Sequence, residues 1–283
     1  MLAIAGILVV FVSVIVGFTI AGGQLLVLLQ PAEFIVIGGA AFGSLLIMTT
    51  PSQLKKIFSV VPSIFSHSAP TKQDYLELLK SFNDLFLIAQ RDGVMAIEKH
   101  IEDPNSSEIL SRSKKFIHNK HAVDLFCDTM KVIITAGIQP HDLEALIDAE
   151  IESFEAEMKP IGHTITKIAD SFPGLGIVAA VLGVIITMGS VDEGAAAVGH
   201  HVAAALVGTF LGVLLCYGLV GPIGANIEHS TESEVQYLET IKTAIIAYVK
   251  GNPPVIVVEM ARRTISPENR PTFQELENYI RGK

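Results

Sequence analysis

Positive charge is missing from two long stretches of this chain: no lysine or arginine precedes Lys55, and none lies between Lys167 and Lys242. Residues 1–54 carry one charged side chain, Glu33. Only 17% of the 283 residues are charged and 50% are hydrophobic, whereas soluble domains average roughly 25% charged. A net charge of −9, with no basic stripe, argues against nucleic acid as a partner. The two cysteines lie in unlike surroundings, Cys127 in a charged block and Cys216 in a charge-free one, so no disulfide is expected and both read as small buried hydrophobes. His-Glu-x-x-His, Gly-x-Ser-x-Gly, Walker and Cys-x-x-Cys patterns are all absent, so neither an enzyme nor a cofactor is expected. His200 and His201 are neighbours without a third ligand, which reads as an exposed interfacial pair and not a metal site. No β-rich run and no internal repeat occur.

What is present is apolar and helical. Four segments, residues 2–20, 26–48, 171–191 and 202–227, are long enough to cross a bilayer. At 1.5 Å per residue the third extends about 32 Å, against a hydrocarbon core of about 30 Å. The first lacks the Lys/Arg region of a signal peptide and is taken as a retained span. All Lys and Arg fall in two blocks on one side of a four-span layout, so the positive-inside rule predicts that both blocks and both termini are cytoplasmic. The expected fold is an all-α integral membrane protein of four transmembrane helices. A large helical cytoplasmic domain separates the second and third spans, and a helical cytoplasmic C-terminal tail follows the fourth. The divisions are 1–49, 50–169, 170–227 and 228–283.

Within the charged blocks, Thr71 and Asp74 resemble a capping box. Tyr75, Leu78, Leu79, Phe82, Leu85 and Phe86 then recur at helical spacing until Gly93. "AVDLFCDTMKVIITAG" repeats the pattern and stops at Gly137. "DLEALIDAEIESFEAEMKP" carries seven acids and is expected to end before Pro160. "ESEVQYLETIKTAIIAYVKG" is amphipathic and is broken between Gly251 and Pro254.

Small residues recur at four-residue spacing in the spans: Gly39 and Gly43; Ala179 and Gly183; Ala204, Gly208 and Gly212. Such spacing lets helix backbones approach closely in lipid. No acidic or basic side chain lies in the third span before Val191 or in the fourth span. Thr187 and Thr209 are their most polar mid-span side chains, able either to line a path or to bond a carbonyl one turn back. Pro173 and Pro222 read as hinges at the cytoplasmic ends of these spans, although a proline in a first helical turn costs little. Glu33, beside Pro31, is either a cation-attracting group or an acid at a helix N-terminus.

The segments "GGQLLVLLQPAEFIVIGGAAFG", "LEALIDAEIE", "ADSFPGLGIVAAVLGVI", "LVGTFLGVLLCYGLVGP", "PPVIVVEMARR" and "RPTFQELE", in this order, resemble the MotA family of flagellar motor stator proteins. The resemblance implies a multi-pass protein of the bacterial inner membrane, one of a homo-oligomeric ring of five. The ring surrounds the single membrane helices of a MotB dimer, whose aspartate carries the ion. Ion flow then turns the ring against the rotor protein FliG. On this resemblance Pro173 and Pro222 match the coupling prolines, and Ala180, Thr209 and Thr187 belong to the ion-path wall. Ala180 stands where sodium-driven members have threonine, which favours protons. Glu98 matches a rotor-contacting acid. The usual rotor-contacting arginine is replaced by Gln90, with Arg91 adjacent, about 100° further round a helix. Two other readings fit the residues: an energy transducer of the ExbB/TolQ type, and a non-conducting scaffold recruiting partners through its acidic helix.

Overall fold

The computed structural model describes residues 2–65 and 69–282, and every regular element among them is helical. The chain forms two compact units, one of Met1–Ser68 with Met158–His229 and one of Ala69–Glu157 with Ser230–Lys283.

In the first unit, α1 (Leu2–Ile20) ends at a turn in which Gly22 adopts φ +83°, a conformation that strains any side-chain-bearing residue. The second span, Leu25–Met48, is only partly α-helical. Leu25–Leu28 form a 3-10 turn and Gln30 is extended, as the residue before proline prefers, so α2 (Pro31–Met48) begins with Pro31 at its first turn. Next comes α3 (Pro51–Ser63), an amphipathic helix opened by a capping box between Thr50 and Gln53. Its Ile57 packs with Ile161, Ile165 and Ile227. Four helical stretches are long and apolar enough to cross a membrane: Leu2–Ile20, Leu25–Met48, Pro140–Gly189 and Ala195–Val249.

The helix after "DLEALIDAE" does not stop at Pro160. It continues as α8 (Pro140–Gly189), 50 residues with both Pro160 and Pro173 in its interior. An interior proline costs roughly 3 kcal/mol. Between the two prolines Ile161, Ile165, Ile168, Ala169 and Phe172 fall on one helical face and are all buried, so the packing of this stretch outweighs the lost backbone bonds. Across from it run α9 (Ala195–Val213), π-helical turns at Leu214–Val220, and α10 (Gly221–Val249).

The second unit is built on α4 (Lys72–Asp92), whose Thr71–Asp74 capping box and Gly93 terminus (φ +90°) follow the expected pattern. The short helices α5 (Glu98–Glu102) and α6 (Lys114–His118) lead to α7 (Lys120–Ala136), closed by Gly137 in the left-handed conformation. Phe82 stacks on Phe126 with ring centroids 4.5 Å apart and meets Phe116 edge-on at 5.8 Å. Leu143, Ile147 and Ile151 of α8 and Tyr237, Ile241 and Ile245 of α10 enter the same core. The C-terminal segment also belongs to it: α11 (Pro254–Thr264) packs on α4 through Val257, Val258 and Ala261, and α12 (Phe273–Arg281) contributes Leu276.

Candidate functional site

The candidate functional region in the first unit is the seam between α8 and the α9–α10 run, where glycines let the two helices approach closely. A Cβ placed on Gly212 would stand 2.5 Å from the Phe172 carbonyl oxygen and 3.0 Å from Gly176 Cα. One on Gly176 would meet the Gly208 carbonyl oxygen at 2.8 Å, and one on Gly183 would meet Ala205 Cβ at 2.6 Å. Further along, Gly224 faces Thr166 and Gly162 faces Glu228, again at distances that a Cβ would close. Small residues give this intimacy because dispersion between close backbones replaces the hydrophobic drive that lipid removes. Three expected positions do otherwise. Gly39 and Gly43 of α2 meet nothing within 4 Å, and Ala205, not Ala204, fills the place opposite Gly183.

The seam changes register where the helix widens. From the Gly176–Gly212 contact to the Ala169–Gly221 contact, α8 advances seven residues while its neighbour advances nine. The surplus is taken up in the π-helical turns, where the Gly221 N–H reaches back to the Cys216 carbonyl. Pro222 follows at once: it has no N–H to give the Gly218 carbonyl, so an ordinary α-turn is not available there. Pro222 is exposed and Pro173 half-buried. Pro173 differs in kind, since α8 passes through it without a change of helix type.

Near the tightest crossing Ala179 of α8 faces Gly208 of α9 and Gly176 faces Thr209; Thr209 and Ala180, next to Ala179 in sequence, are both half-buried. Thr187 is fully buried, and its hydroxyl donates to the Gly183 carbonyl at 2.8 Å, the bond one turn back that the sequence allowed. Glu33 is the unexpected member. It is 8% exposed, its Oε2 lies against Gly208 and has no hydrogen-bond partner, and it occupies the space where a Cβ on Gly208 would sit. Sequence pattern shows an acid at the opening of a helix; only the re-entrant Leu25–Gln30 segment, packed on α9, brings that acid to the seam. His200 and His201 lie edge to face at the start of α9, 5.8 Å apart, and no cluster of three or more metal-ligating groups occurs among the described residues.

In the second unit, Arg91 closes α4 on its exposed face. Its Nε and Nη2 donate to the two carboxylate oxygens of Asp92 at 2.9 and 2.6 Å, a bidentate pair that raises the arginine's proton affinity and lowers that of the acid. Gln90 is exposed beside it, and Glu98 begins α5 half-buried, beyond the Gly93 turn. Burial next to Asp128 and Asp124 pushes the Glu150 carboxyl above its ordinary range. Lys242 bridges Asp148 and Glu239, holding α8 to α10.

Two protein families match this chain: "Motility protein A N-terminal" over residues 4–93 and "MotA/TolQ/ExbB proton channel family" over residues 115–240. Motility protein A of Salmonella typhimurium and that of Escherichia coli are each 34% identical over 282 residues, covering 100% of this chain and 96% of theirs. Chemotaxis protein LafT of Vibrio parahaemolyticus is 33% identical over 275 residues. Among solved structures, MotAB of C. jejuni superposes with a TM-score of 0.80 at 21% identity over 96% of this chain and 98% of that one. The flagellar MotAB stator complex of Bacillus subtilis gives the same score over 97% and 100%.

Proposed function

Since this chain belongs to the motility protein A family of MotA/TolQ/ExbB proton channels, we propose that it is the ion-path wall and torque-producing subunit of a flagellar stator. The end-to-end likeness to motility protein A carries this reading. A match to the N-terminal family over residues 4–93, which includes the first two spans, favours it over an ExbB/TolQ-type transducer.

In this reading the chain sits in the inner membrane with both termini and the second unit in the cytoplasm, in line with the confinement of all Lys and Arg to two blocks. A MotB-like partner with one span supplies the aspartate that takes and releases the ion, which accounts for a third and fourth span without an acid of their own. Several copies, five on the resemblance, surround that partner, and the unfilled faces of Gly39 and Gly43 leave room for close neighbours. Ala180 and Thr209 form part of the wall, with protons the transported ion.

Pro173 and the π-turns before Pro222 then let an event at the crossing reach the parts of α8 and α10 that enter the second unit's core. There Arg91 and Glu98 offer charges of both signs to FliG, Arg91 with its charge partly engaged by Asp92. The test is co-expression with a MotB-like partner in cells lacking their own stators. Swimming should be restored, and Pro173→Ala should abolish it while leaving the complex assembled. Reconstituted vesicles should pass protons with both subunits and not with this chain alone. Normal swimming by the proline variant, or a strong leak without the partner, would refute the corresponding step.

A further inference from the structure

We propose that Glu33 is a proton-exchanging site belonging to this chain, set beside the path wall and separate from the acid the partner supplies. This rests on the channel reading above for its role, but not for its chemistry. Glu33 is the only charged side chain in residues 1–54, it is buried, and one carboxylate oxygen is without a hydrogen-bond partner. It opens α2, yet it does not lie at the rim of the other helices. Its contact Gly208 is thirteen residues past the start of α9, and Ala179, against the same glycine, is ten residues before the end of α8. At 1.5 Å per residue the acid sits about 15 to 20 Å inside those ends.

A carboxylate held there without a partner is unfavourable, and it can be relieved in two ways, by a cation or by a proton. Calcium or magnesium would need several oxygens around it, and no cluster of three or more metal-ligating side chains occurs among the described residues. A proton needs none. α1 holds no titratable group. The nearest such groups on α8 are Asp170 and, beyond its end, Asp192; on the α9–α10 run they are His200 and His201 at one end and Cys216 and Tyr217 at the other. Nothing ionisable therefore competes for the proton at the crossing. Ala180 and Thr209, which follow Ala179 and Gly208 in sequence, are the wall positions. The step is a simple exchange: Oε2 of the carboxylate takes a proton from the path and returns it, with no electron transfer.

Gly208 makes the site possible, since any side chain there would occupy the carboxyl's place. The test uses the full chain with its partner in native membranes. Dicyclohexylcarbodiimide, which couples to protonated carboxyls in apolar surroundings, should modify the peptide bearing Glu33, as mapped by mass spectrometry. Glu33→Gln and Glu33→Met should both assemble, lose the adduct and rotate severalfold more slowly, with a changed dependence of speed on external pH; Glu33→Asp should recover part of the speed. The methionine variant guards against a failure caused only by the unpaired amide of glutamine. Absence of an adduct on wild-type Glu33, or wild-type speed at every pH in both the Gln and Met variants, overturns the proposal. Should wild-type vesicles pass no protons, the channel reading falls, while the adduct still decides whether Glu33 binds a proton.

Discussion

The seam predicts an uneven response to adding one methyl group. Gly212→Ala places a Cβ 2.5 Å from the Phe172 carbonyl oxygen and 3.0 Å from Gly176 Cα, both backbone atoms that cannot rotate aside. Overpacking of this kind costs about 1 to 3 kcal/mol. Replacing glycine by alanine in a helix returns about 1 kcal/mol. With two rigid neighbours the upper part of the range applies, so a net loss of about 2 kcal/mol is expected. Gly174→Ala, on α8 two residues before Gly176, meets nothing within 4 Å and should keep or gain stability. Thermal unfolding of the two variants and the wild type in one detergent, followed by circular dichroism, gives the order Gly212→Ala below wild type and Gly174→Ala at or above it. A Gly212→Ala protein that melts at or above the wild type would show that the backbones are not in contact, and the close-packed wall would have to be abandoned.

Three further outcomes follow from the second unit. Phe82→Ala removes a fully buried ring stacked on Phe126 and should destabilise this unit by about 3 to 5 kcal/mol in denaturant titration. Glu259 is held down to about 2 by hydrogen bonds from Arg262 and Arg263. With its folded value below the ordinary 4.5, the stabilisation is present above pH 4.5 and is lost as pH falls toward 2. It is on the order of 1 to 2 kcal/mol once the exposed Arg263 is discounted, and Glu259→Gln should flatten that acid limb. Burial pushes the Cys127 thiol up to about 12, so iodoacetamide at pH 8 should leave it unmodified until denaturant is added.

The spans were legible because hydropathy needs no neighbours: a run of apolar residues without charge is enough. So were the caps at Thr71, Gly93 and Gly137, where a short local signal fixes the backbone. Pro160 misled because its local cost is real, and the packing that outweighs it comes from Ile161 and Ile165 meeting residues far away in sequence, Ile57 and Ile227. The amphipathic α3 was hidden in a block dominated by the helices after it. Glu33 could be recognised as unusual but not as buried, since its position depends on a 3-10 turn and an extended Gln30 that no periodicity announces. Among the candidate site residues, the sequence could name Pro222 but not the π-turns before it, which show only as a mismatch in the spacing of inter-helix contacts.

That mismatch separates the two prolines. At Pro173 an alanine adds an N–H opposite a free carbonyl inside a helix that already runs straight through, so α8 should keep its contacts and only stiffen. At Pro222 an alanine makes the ordinary bond to the Gly218 carbonyl possible, favouring α-turns over the π-turns. Losing those turns removes the two-residue surplus, and Gly224 and the backbone at Glu228 no longer meet Thr166 and Gly162. Pro222→Ala should therefore loosen the inner half of the seam as well as impair coupling, and an engineered cysteine pair at Gly162 and Glu228 should crosslink in the wild-type background but not beside Pro222→Ala. Pro173→Ala should crosslink like the wild type. If both proline variants crosslink equally, the π-turns are held by something other than the missing N–H, and the register argument fails.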